Sequence, residues 1–255
     1  MLNRQILICA LLTSVMINNA WALPTTYYDI DFSSPTHTPG LSPMANGDSD
    51  TPSEVVFGEP LVQSNSPLDG NALKFNTLGN KGSFYYDQIE LDLGFQSDRY
   101  TVSFDFYAEN FANNNSANQF TLLFDTPQVR NVYFESTGNI TAESYGTYIK
   151  NTIGKFDNNQ ALNMLIDIDL IGNTWDFYID HSKVFSDSFS PSDPDIESMR
   201  FSFGNKSSID DPSYFDSVFI DNLRVTNGIT AVPEPATLGL LGLGIIALAF
   251  RRRKV

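Results

Sequence analysis

Apolar and polar residues alternate through most of the chain. Over residues 100–107, Val102, Phe104 and Phe106 take one face, and Thr101, Ser103 and Asp105 take the other. Leu162, Met164, Ile166, Ile168 and Leu170 share a face opposite Asn163, Asp167 and Asp169. Trp175, Phe177 and Ile179 alternate with Asp176, Tyr178 and Asp180. A period of two is that of a half-buried β-strand. Gly172-Asn173 lies between the last two runs and predicts a tight hairpin. Similar runs predict strands over 27–32, 84–93, 119–124, 132–135, 145–149, 184–189, 199–203 and 218–225. Clusters of Asn, Gly, Ser and Pro separate them, as at 110–118 and 190–195. No helical period appears between the two terminal segments. Many strands with one apolar face each predict an all-β, two-sheet sandwich.

The ends break this pattern. Residues 236–250 carry no charge. As a helix they would extend about 22 Å, short of a ~30 Å hydrocarbon core. Local thinning and snorkelling of flanking cations allow such a segment to cross. Val232, Pro233, Glu234 and Pro235 precede it, and Arg251, Arg252, Arg253 and Lys254 follow. The prolines disfavour helix and leave an extended, protease-accessible stretch. The basic cluster should stay cytoplasmic and the body outside. From the residues alone this is a permanent membrane anchor or a processed address. At the other end, Arg4 precedes the mostly apolar stretch 6–17, and Ala20-Trp21-Ala22 offers a small-x-small cleavage site. Residues 1–22 therefore read as a secretory signal peptide, cut by signal peptidase after Ala22.

The motif Pro233-Glu234-Pro235, the apolar run and the basic tail together resemble the PEP-CTERM sorting signal of Gram-negative bacteria. The resemblance covers 232–255: motif 232–235, transmembrane segment 236–250, basic tail 251–254. It implies an exosortase-type transpeptidase as partner and a cut near the Pro-Glu-Pro. It also implies export across the inner membrane, transient C-terminal anchoring there, and delivery to the cell surface or matrix. Proteins of this kind are linked to biofilm and exopolysaccharide. Pro233, Glu234, Pro235, Arg251, Arg252 and Arg253 are then recognition elements.

Charge narrows what the body, residues 23–231, can meet. Five of the 15 basic residues (Arg4, Arg251, Arg252, Arg253, Lys254) and one of the 30 acidic ones (Glu234) lie in the ends, which leaves 10 against 29. Such an excess works against nucleic acid and anionic lipid, and favours solubility and divalent cations. The only cysteine, Cys9, lies in the signal segment, so the body has no disulfide and no thiol metal site.

Residues 97–226 resemble the concanavalin A-like and laminin-G jelly rolls. The resemblance rests on Arg99-Tyr-Thr-Val-Ser-Phe-Asp-Phe106, Leu165-Ile-Asp-Ile-Asp169, Thr174-Trp-Asp-Phe-Tyr-Ile-Asp180 and Phe219-Ile-Asp-Asn-Leu-Arg-Val225. It implies a single jelly-roll β-sandwich. Glucanases of this fold carry three acidic residues on one strand. Here Glu90 and Asp92 supply two, but Gly94 and Phe95 stand where the third belongs. His37 sits in a loop and His181 is expected at a turn after a strand, and no hydrolase or phosphate-loop pattern occurs.

In strand 218–225, Asp221 is expected to share a face with Phe219, Leu223 and Val225. Facing inward, it must be protonated, hydrogen-bonded or metal-bound; a bulge would turn it outward. Related jelly rolls imply a structural Ca²⁺ held by such an aspartate with first-strand groups, here Asp29 and Asp31. Tyr178 is expected to point outward and is the candidate sugar-stacking ring. The expected function is a non-catalytic surface or matrix protein that binds exopolysaccharide. The alternatives are a glucanase-like enzyme on the same fold and a purely structural matrix protein.

Overall fold

A computed structural model describes residues 25–33, 35–58, 60–76, 86–94, 99–111, 118–125, 131–143, 149–188, 196–205 and 216–227. Residues 1–22 and 232–255, with Ala20, Ala22 and the sorting residues 233–235 and 251–253, lie outside these. Among the described residues there are fifteen strands and no helix. They are β1 Thr26–Ile30, β2 Glu54–Phe57, β3 Leu61–Gln63, β4 Ala72–Asn76, β5 Tyr86–Asp92, β6 Arg99–Glu109, β7 Asn118–Asp125 and β8 Asn131–Glu135. Then come β9 Asn139–Glu143, β10 Lys150–Lys155, β11 Ala161–Asp169, β12 Thr174–Ile179, β13 Ser182–Ser188, β14 Ser198–Asn205 and β15 Ser217–Asn227.

All pairings are antiparallel. Sheet A runs β13-β12-β11-β6-β15-β4-β3, with β1 also on β15; sheet B runs β10-β9-β8-β7-β14-β5-β2. The chain crosses between the sheets repeatedly, with β7–β10 consecutive in sheet B and β11–β13 consecutive in sheet A, in a jelly-roll β-sandwich. Alternation puts Val102, Phe104 and Phe106 of sheet A against Phe120, Phe134 and Phe201 of sheet B. One continuous core results, and aromatic rings dominate it. A Phe ring fills the roughly 10 Å gap between sheets from either side.

Strand β15 departs from expectation. Its register against β6 shifts between Asp221 and Arg224, and Asn222 takes φ 50°. This is a β-bulge, and it inverts the alternation midway. Val218 and Ile220 face the main core, whereas Phe219 joins Leu68, Ala72 and Tyr107 in a small cluster on the outer side. Beyond the bulge Leu223 and Val225 face the core again. Asp221 therefore shares a face with Phe219, not with Leu223 and Val225. It lies on the outer side of sheet A and is still buried.

Candidate functional site

Both outer faces of the sandwich are polar, and they differ in what they offer. On sheet A, Arg99, Lys183 and Arg224 lie against carboxylates, and Lys74 lies over the Phe219 ring. Arg99 reaches Asp167 (3.5 Å) and Asp169 (3.7 Å), and Lys183 reaches Asp176 at 2.7 Å. Burial is the largest influence on Asp167 and raises its pKa despite Arg99. For Asp176 burial is again the largest single influence, but the Lys183 and Ser186 hydrogen bonds outweigh it and lower the pKa. Tyr178 is half-buried: its hydroxyl donates to Asp176 at 3.4 Å, and Lys183 Nζ lies 5.9 Å from its ring centroid. Its outward side is thus part of an ionic cluster and not a bare platform.

The structure divides the three aspartates grouped by sequence. Asp29 pairs in register with Arg224 and lies 4.0 Å from its Nε. Asp31 and Asp221 come together, and Asp105, opposite Asp221 in register, joins them. Amides hold Asp105, from Asn163 Nδ2 at 2.9 Å and Asn222 Nδ2 at 2.7 Å. Asp221 is 1% exposed, and its Oδ1 has no hydrogen-bond partner. Among the described residues no three His, Cys, Asp or Glu side chains converge as a metal set.

Burial, countered by backbone hydrogen bonds from Asn222 and Phe32 and reinforced by Asp31 and Asp105, raises Asp221 from 3.8 to about 6. The folded pKa lies above the unfolded one, so the unfolded chain ionises first as pH rises. The stability that protonated Asp221 contributes is full below about pH 4 and lost between about pH 4 and 6. A shift of about two units corresponds to about 3 kcal/mol as an upper bound. Asp221→Asn is therefore expected to stabilise cation-stripped protein at pH 7 and to have little effect at pH 4. Urea melts at the two pH values check this, and parallel changes at both would sink it. A calcium-induced rise in Tm present in the wild type and absent from Asp221→Asn would make Asp221 a cation ligand.

Sheet B presents a different outer face. One rung crosses five strands through Gln88, Ser202, Thr121, Tyr133 and Thr141. All five are polar, and none is more than 8% exposed. At about 4.8 Å per strand the rung is roughly 19 Å long. Gln119 Nε2 donates to Thr121 Oγ1 at 3.1 Å, and Thr141 Oγ1 donates to Glu135 at 3.1 Å. Tyr133 donates to Glu143 Oε1 at 2.7 Å and accepts from Asn131 Nδ2 at 2.8 Å. Burial above all, aided by Glu143, holds its phenol protonated well above the ordinary range. Lys150 Nζ sits 3.3 Å from the Tyr133 ring centroid and 3.7 Å from Glu135. Glu90 and Arg200 close the flank at 2.7 Å. Asn131 Oδ1, Ser198 Oγ and Ser202 Oγ are buried there without hydrogen-bond partners.

Glu90 and Asp92 do share this face, as alternation requires, but Glu90 is held by Arg200 and Asp92 is exposed at the strand end. His37 is buried, bonded through Nε2 to the Asp50 carbonyl (2.8 Å) and packed on Phe32. His181 is exposed in a turn at φ 64°. The Tyr133 rung was not grouped from sequence. Its members sit at polar positions of separate strands, and only register aligns them.

Comparison with known proteins assigns the tail and the fold. Residues 231–254 match the PEP-CTERM protein-sorting motif. The motif marks an exported protein anchored by its C-terminus before processing and implies an exosortase as processing partner. No curated protein matches the sequence. Among solved structures, a sialidase superposes with TM-score 0.51 at 16% identity over 82% of this chain and 19% of its own length. A mutant of HCR/D superposes with TM-score 0.54 at 14% identity over 82% of this chain and 49% of its own. An endo-beta-1,4-glucuronan lyase from the fungus Trichoderma reesei gives 0.49 at 13% identity, over 84% of this chain and 94% of its own. The chain thus spans about a fifth and about a half of the first two, and at such identities the likeness is one of fold.

Proposed function

We propose that this is a surface or matrix protein that binds exopolysaccharide without turning it over, through the outer face of sheet B. In this reading a signal peptide exports it, and an exosortase releases it from the inner membrane to the cell surface or biofilm matrix. The observation that carries the binding reading is the five-strand rung of Gln88, Ser202, Thr121, Tyr133 and Thr141. Hydroxyls, amides and carboxylates in a row are the donors and acceptors that a chain of sugar hydroxyls can pair with. The acidic body favours a neutral or amino-bearing polymer over a polyanion.

The same face argues against hydrolysis. A glycosidase sets one protonated carboxyl against one free carboxylate. Here Glu90 is tied to Arg200, Glu135 to Thr141 and Lys150, and Glu143 to Tyr133.

Thr121→Trp would fill the rung from the outer side, and Ser103→Trp would do the same on sheet A. The first is expected to weaken polysaccharide binding at least about tenfold, or 1.4 kcal/mol. The second should leave it unchanged, and because Thr121 is only 5% exposed, a melting curve for each variant separates lost folding from lost binding. A glycan array followed by titration checks this. Equal binding by all three proteins would remove the site from sheet B. An array blank for the wild type would leave the structural matrix role.

A further inference from the structure

The chain enters and leaves the sandwich side by side. Thr26 pairs with Thr226, and Asn227 N donates to Thr25 O at 2.8 Å. Register carries this end across sheet A: Asn227 lies opposite Tyr100, Arg99 opposite Asp169, and Asp169 opposite Thr174. The β11–β12 hairpin is therefore at the same pole as both chain exits. At its tip Ile171 is 74% exposed, the most open large apolar side chain among the described residues. The other end of β12 turns at Asp180 and His181, at the far pole.

The tether sets how the sandwich can stand. Only the eight residues 228–235 separate Asn227 from the apolar segment. Fully extended, they reach at most about 26–29 Å. The eleven residues of β6 run the length of the sandwich, about 36 Å at 3.3 Å each. The tether is shorter than the body it holds. It cannot run back along the sandwich and bring the far pole to the membrane.

We propose that in the anchored form the pole with both chain exits faces the bilayer, and that Ile171 touches its headgroup layer. The partner is the lipid surface itself. Both outer sheet faces then stand clear of the membrane and open sideways. Asp92 and Glu197 are exposed at this pole too, linked to it through the Tyr100 hydroxyl on the Gly94 carbonyl. They make a zwitterionic surface a better partner than an anionic one. This inference rests on the C-terminal anchoring implied by the sorting motif.

The test uses the chain from residue 23 to 255, which carries no native cysteine, with one new cysteine, Ile171→Cys or His181→Cys. Each carries a fluorophore and is reconstituted in phosphatidylcholine vesicles with headgroup nitroxides. The expected result is loss of emission at position 171 and none at 181. Equal quenching at both, or quenching at 181 alone, overturns the orientation. Failure to float with the vesicles overturns instead the anchoring on which it rests. A melting curve for each variant separates misfolding from either outcome.

Discussion

Phe106→Ala is expected to destabilise the sandwich by about 3–5 kcal/mol, the largest single-residue loss in the body. Phe106 is fully buried on β6. Its ring stacks on Phe134 with centroids 4.4 Å apart, meets Phe156 edge-on at 5.5 Å and lies 5.6 Å from Phe120. Phe120 and Phe134 belong to sheet B, so one side chain joins the two layers. Truncation removes the transfer energy of the ring and leaves a cavity that rigid strands on both sides cannot close. It also removes aromatic pairings worth about 0.5–1.5 kcal/mol each beyond area. Phe185→Ala, on edge strand β13 and only half-buried, should cost less than half as much. Denaturant unfolding of the two variants makes the comparison. A Phe106→Ala loss no larger than that of Phe185→Ala would show that the two sheets are not held by this cluster.

The fold was legible where strands alternate cleanly and the sheet has one wet face. β6, β11, β12 and their hairpin stand where the period of two put them, because one-residue slips would expose Phe104 or Ile166. β2, β3, β4, β9 and β10 were not found. β3 has three residues and β10 reads Lys-Asn-Thr-Ile-Gly-Lys, so neither carries enough apolar pattern to stand out. The predicted strand at 145–149 lies largely outside the described residues, and the observed β10 begins just after it. Asp221 shows what pattern alone cannot supply. Counting by twos across 218–225 assumes an unbroken ladder, and Asn222 breaks it with a left-handed residue. Asparagine tolerates that conformation better than most residues, and the bulge that turns Asp221 outward, one of the readings its sequence left open, is the one the register shows. The sheet B rung was illegible for another reason. Thr121, Tyr133, Thr141 and Ser202 are ordinary polar positions until strand order β9-β8-β7-β14 sets them in one line.

The C-terminal tail carries the prediction with the sharpest readout, because its outcome is all or none. In a host with its exosortase, the wild-type chain is expected to lose everything beyond the Pro-Glu-Pro region, whereas Glu234→Ala should keep Val255. In a strain without the enzyme, both should end at Val255. Intact mass and C-terminal sequencing separate these species directly. Physical chemistry adds a second arm. A 15-residue apolar run would extend about 22 Å as a helix against a core of ~30 Å, so it depends on its flanking cations to stay in place. Arg251, Arg252 and Arg253 supply them on the cytoplasmic side. Replacing all three with alanine should let the chain slip through uncut, and full-length protein should appear in the soluble exported fraction. Glu234→Ala, by contrast, should remain membrane-bound. If the two variants fractionated alike, the motif and the basic tail would not be separate recognition and retention elements. If the wild type kept Val255 even beside its exosortase, the segment would be a permanent anchor. The body would then meet its polysaccharide at the membrane surface, through the outer face of sheet B, with the pole that bears Ile171 turned to the bilayer.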